Sequence, residues 1–178
     1  MTAVDTRRRH INVLSRWAAW ACLLLIPCIV MLTAGIWIFL PDLVTEGFRV
    51  AGAPPMSPLQ RLGGFAFTMI PAGIFLYGIW RLYCLFNLFA QGELFSSRAA
   101  RHLHAFAAAL LIKTCLTPFT GAAIGVLASW NNPPGERMLA ISLSQAGVAW
   151  MLIAALLFAL SWIMTVAEEI AEDQKLIV

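Results

Sequence analysis

Long apolar runs and short polar connections alternate along this chain. The runs fall at about Trp17–Leu40, Leu62–Phe89, His104–Trp130 and Gln145–Ala167. A helix needs roughly 20 residues to cross a hydrocarbon core about 30 Å thick, and each run is long enough. In hydrocarbon the backbone must satisfy its own hydrogen bonds, so each run is expected to be helical. The period-two alternation of an outer-membrane barrel is absent from stretches such as Trp150–Leu160. The pattern predicts an all-α, integral membrane four-helix bundle, a single transmembrane domain over residues 1–178.

Composition agrees. Of 178 residues, 61% are hydrophobic and 12% charged, against about 25% charged in a soluble domain. Arg7, Arg8 and Arg9 precede the first run, as in a secretory signal. That run is longer than a signal core and lacks a small-x-small cleavage site after it, so a retained anchor is expected. The net charge of +3 comes largely from these arginines. They read as topology determinants that can also meet anionic headgroups, and no basic–aromatic pattern points to direct contact with nucleic acid. Cys22, Cys28, Cys84 and Cys115 lie in apolar segments without CxxC spacing and read as small buried hydrophobes, with no metal or other cofactor implied.

Positive charge sets the expected orientation. Arg7, Arg8, Arg9 and Arg16 precede or open span one, and Arg98 and Arg101 occupy the second connection; the other side holds only Arg49, Arg61 and Arg137. Both termini and the second connection are therefore expected in the cytoplasm. All seven tryptophans fall near span ends, as interfacial belts require. Pro27, Pro71 and Pro118 place a kink in each of the first three spans. For close helix approach the candidates are Gly121 with Gly125, and Ala155 with Ala159.

The cytoplasmic side carries the most distinctive chemistry. Span two continues past Arg81 through Phe89 to Gly92, a plausible helix stop, and Ser96 can cap a new helix. Residues 91–97 then form the turn of a hairpin, so that helices two, three and four extend beyond the membrane. The acidic tail, residues 168–178, holds Glu168, Glu169, Glu172 and Asp173 as like-charge i,i+4 pairs that call for counter-charges or water. Depth along antiparallel spans three and four pairs Arg101 with Glu168 or Glu169, and Arg98 with Glu172 or Asp173. Lys113 is the ionisable residue clearly inside a span. Two readings stand: a stem that snorkels to the interface, or a polar site with Thr114 and Thr117. His10, His102 and His104 read as surface histidines.

Gly92-Glu93-Leu94-Phe95-Ser96, followed by Arg98, Ala99, Arg101 and Leu103, resembles a signature of one bacterial family. It is the domain-of-unknown-function family numbered twenty-nine seventy-five, of small four-span membrane proteins. The tail from Ala167 to Val178 and the stretch Pro58-Leu59-Gln60-Arg61 are similar as well, so the likeness covers most of Met56–Val178. Lys113 is outside the pattern. The resemblance implies no established activity; members are often encoded beside small helix-turn-helix regulators, which implies membrane-linked regulation by association.

No HExxH, GxSxG, phosphate-binding glycine loop or metal-ligand cluster supports an enzyme, so no catalytic residue is assigned. The reading is a non-catalytic bacterial inner-membrane protein of regulatory or sensory type, its cytoplasmic hairpin and acidic tail offering a docking surface. Its partners would be the lipid bilayer, a small helix-turn-helix regulator and, in a homo-oligomer, further copies of the chain. The alternatives are a small transporter or transporter subunit, and a structural accessory of a larger membrane complex.

Overall fold

The computed structural model describes residues 3–40, 57–93, 96–130 and 145–176, with side chains between residues 12 and 167. Four helices make up nearly all of this: α1 (Ala3–Phe39), α2 (Pro58–Ala90), α3 (Ser97–Ala128) and α4 (Gln145–Leu176). All four are long and apolar enough to cross a membrane. Each matches an apolar run of the sequence and exceeds it. At 1.5 Å per residue the 33 residues of α2 extend about 50 Å, well beyond a ~30 Å hydrocarbon core. α1 starts ahead of its apolar run and includes the arginine cluster, while α4 continues through the acidic segment.

Local chemistry explains the helix ends. α2 opens with a capping box: Gln60 N–H donates to Ser57 Oγ at 3.3 Å, and Ser57 N–H donates to Gln60 Oε1 at 2.8 Å. Pro58 at the first position lacks a donor that the helix would leave unused anyway. Pro27, Pro71 and Pro118 all sit inside helices that continue through them.

The helices pack in chain order, α1 on α2, α2 on α3 and α3 on α4. α1 and α4 form no comparable seam among the described residues. Small residues set the close approaches. A Cβ added at Gly78 of α2 would lie 3.0 Å from the Ala109 Cβ of α3, and one added at Gly64 would collide with the Trp37 ring of α1. Trp37 therefore lies inside a helix seam, 4% exposed, and is no free interfacial anchor; Trp17, Trp20, Trp80, Trp130, Trp150 and Trp162 are exposed. Among the cysteines, Cys22 is buried and Cys84 half-buried, but Cys28 and Cys115 face outward, contrary to the expectation that all four are interior. In lipid an outward apolar thiol carries no penalty, which explains the difference.

At the hairpin end a compact core joins three helices. Leu85 of α2, Ala99, Ala100 and Leu103 of α3, and Met164 of α4 are buried together, flanked by Leu82, Leu88, Phe89 and Leu157.

Candidate functional site

The hairpin that the sequence places between α2 and α3 is built from a left-handed glycine and two caps. Gly92 has φ 89°, a conformation that costs an L side chain roughly 1–2 kcal/mol. Glu93 N–H donates to Leu88 O and Gly92 N–H to Phe89 O, both at 3.1 Å, the Schellman arrangement that satisfies the last carbonyls of a helix. After the turn, Ser96 Oγ accepts from Ala99 N–H at 3.2 Å and opens α3. Glu93 is exposed. Leu94 and Phe95 lie outside the described residues.

Arg98 and Arg101 lie on the exposed side of the first turns of α3 and form no ion pair among the described residues. The side chains of their expected partners, Glu168, Glu169, Glu172 and Asp173, lie outside the described residues. Met164, one turn before Glu168, packs against Ala99, Ala100 and Leu103. The two elements that carry the opposite charges are thus neighbours.

Half-buried Arg81 and His102, with exposed Tyr77 and Arg101, form a basic, aromatic cluster of which the sequence pattern singled out only Arg101 as a candidate site residue. The Arg81 guanidinium lies 5.6 Å from the centre of the Tyr77 ring, one turn earlier on α2, within cation–π range. Across the seam, His102 of α3 lies within electrostatic reach of both Arg81 and Arg101. Arg81 Nε and His102 Nδ1 are buried and have no hydrogen-bond partner among the described residues. A buried polar atom left unsatisfied costs about 1–3 kcal/mol, so this juxtaposition is uphill without a further ligand or counter-charge. The available sequence signal was Arg81 itself, lying within a continuous apolar run.

His102 is half-buried, whereas His104 is exposed, as expected of a surface histidine, and also contacts α4. His104 meets the edge of Phe158 on α4 with ring centres 4.4 Å apart, and its Nδ1 lies 3.4 Å from Ser161 Oγ. Ser161 Oγ donates to Phe158 O at 2.8 Å. With that hydroxyl proton committed, His104 Nδ1 is the donor of the pair. This contact ties α3 to α4.

Lys113, Thr114 and Thr117 do not converge into one polar site. Thr114 Oγ1 donates to Leu110 O at 2.8 Å, and Thr117 Oγ1 to Lys113 O at 2.9 Å, so both hydroxyls are satisfied within their own helix. The Lys113 ammonium instead sits 5.6 Å from the centre of the Phe75 ring on α2. Of the small-residue pairs, Gly121 and Gly125 are buried on α3, whereas Ala155 and Ala159 are exposed. The face of α4 that packs within the chain carries Ala154, Ser161 and Met164, offset from the expected pair because hydropathy does not mark a packing face in an apolar helix.

No curated protein and no solved structure matches the chain at a significant level. A family model described as a protein of unknown function (DUF2975) matches residues 12–178, and the chain belongs to that family.

Proposed function

We propose that this chain is a non-catalytic bacterial inner-membrane protein of regulatory or sensory type. Both termini and the α2–α3 hairpin lie in the cytoplasm in this reading, with the hairpin and the acidic segment of α4 forming a docking surface for a small helix-turn-helix regulator. The arginine distribution supports the orientation.

The observation that carries the reading is the buried cluster of Leu85, Ala99, Ala100, Leu103 and Met164. It holds both arms of the hairpin and α4 at Met164 as one unit, while Arg98 and Arg101 stay on its surface. A surface prepared in this way loses little freedom on association, which favours specific docking. Signalling further requires that a stimulus shift the bundle between two arrangements which the partner distinguishes.

A photo-crosslinking residue placed at Arg98 of the full chain tests this in native membranes. The expected product is a covalent adduct with a soluble regulator, lost when Arg101 and Glu93 are replaced by alanine. Adducts with integral membrane proteins alone would overturn the docking reading and favour a structural accessory. For Lys113, the contact with Phe75 favours a packing role over a transport site. Solute flux in proteoliposomes that disappears in Lys113→Ala would reverse that preference.

A further inference from the structure

A groove of about 610 Å³ runs along the outside of the α2–α3 seam. Ile70, Gly73 and Tyr77 line one wall and Ala105, Ala108 and Ile112 the other. Its floor is shallow because the residues at its centre are glycine and alanine. An added Cβ at Gly73 would meet nothing within 4 Å. Ile70, Tyr77 and Ile112 are 53%, 52% and 48% exposed, so the walls are open to the surrounding medium.

The hairpin-side mouth of this groove is basic. Arg81 follows Tyr77 by one turn of α2, and Arg101 and His102 precede Ala105 by one turn of α3, so all three border the same end. Arg81 leans over the Tyr77 ring that lines the groove. Arg81 Nε and His102 Nδ1 are the two buried polar atoms without a partner among the described residues. From Ile70 to Arg81 the distance along α2 is about 16 Å, enough for an extended hydrocarbon segment below a headgroup.

We infer that this groove binds an anionic glycerophospholipid, with an acyl chain along Gly73 and Ala108 and the phosphate at Arg81, His102 and Arg101. Charge complementarity selects the headgroup. A zwitterionic lipid offers the same chain, but its own cation would lie beside two guanidinium groups. A free anion would satisfy the arginines and leave the apolar groove unused. The site goes beyond the regulatory reading and depends only on the helices lying in a bilayer.

Native mass spectrometry of the full chain in detergent, titrated with dioleoylphosphatidylglycerol or dioleoylphosphatidylcholine, tests the site. The expected result is a preference for phosphatidylglycerol of roughly thirtyfold, the scale set by two basic residues at an anionic surface. Arg81→Gln with Arg101→Gln should abolish the preference. Gly73→Leu, whose Cβ meets nothing within 4 Å, places a side chain in the groove and should reduce retention of both lipids while the thermal unfolding midpoint does not fall below that of the parent. If Gly73→Leu does not fold, Ile112→Trp blocks the groove from the opposite wall. Equal retention of the two lipids by the parent chain would overturn the inference, as would an undiminished preference in the double arginine variant. Displacement of bound lipid by millimolar inorganic phosphate would show recognition of the anion alone and would overturn it too.

Discussion

Trp37 Nε1 donates a hydrogen bond to Thr68 Oγ1 at 3.0 Å, pinning α1 to α2. Thr68 Oγ1 in turn donates to Phe65 O at 2.8 Å, so its proton is committed and its oxygen is free to accept. The indole fits because residue 64 has no side chain.

Gly64→Ala therefore forces the Trp37 ring out of its place. Overpacking of this kind costs about 1–3 kcal/mol. Tryptophan emission and unfolding of the variant in lipid nanodiscs should show an altered indole environment and a lower midpoint. Thr68→Val leaves the indole N–H without its acceptor in a buried position and should cost about 1–3 kcal/mol through lost polar satisfaction.

Gly78 and Gly35 make a matched pair of opposite sign. A Cβ at Gly78 meets Ala109 at 3.0 Å and Phe106 at 3.2 Å, while one at Gly35 meets nothing within 4 Å. Gly78→Ala should lower the unfolding midpoint by separating α2 from α3. Gly35→Ala should raise it, by about 0.5–1 kcal/mol, because alanine loses less backbone freedom in a helix. Equal shifts for the two would refute the packing account.

The hairpin should loosen when its backbone chemistry is removed. Gly92→Ala meets the left-handed φ and should cost roughly 1–2 kcal/mol. Ser96→Ala removes the cap of α3 and should cost about 1 kcal/mol. Hydrogen exchange of the amides in the first turns of α3 should accelerate in both variants, with the middle of α3 unchanged.

Replacing Lys113 by methionine should stabilise the protein in a bilayer. The lysine adds ~2.5–3.5 kcal/mol to insertion at a helix centre, and its contact with Phe75 returns ~0.5–2 kcal/mol. Phe75→Leu removes the ring but keeps the charge, and should act in the opposite direction. A fall in stability for Lys113→Met would show that the ammonium has a stronger partner than Phe75.

Topology is tested at Ser97, which is exposed at the start of α3. In a Ser97→Cys variant made in a background without the four native cysteines, an impermeant thiol reagent should label only after permeabilisation of cells. Labelling of intact cells would invert the orientation and remove the proposed docking surface.

Hydropathy alone was sufficient for the four spans, and residue chemistry for the turn. Gly92 and Ser96 are recognisable in the chain because a left-handed residue and a hydroxyl cap are local needs, met within a few positions. The span boundaries follow from the same kind of local reasoning, since a bilayer tests each segment for length and polarity.

The seams required the three-dimensional arrangement. In water a packing face is marked by apolar residues set against polar ones. In lipid the outside of a helix is as apolar as its inside, and contact is decided by shape. Ala155 and Ala159 thus look as suitable for packing as Ala154, yet only Ala154 is buried within the chain. Trp37 reads like the six other tryptophans until Gly64 and Thr68 are placed beside it. The meeting of Arg81 with His102, 21 positions apart, likewise depends on the register of α2 against α3. Composition chose the solvent for each helix, and side-chain volume chose its neighbours.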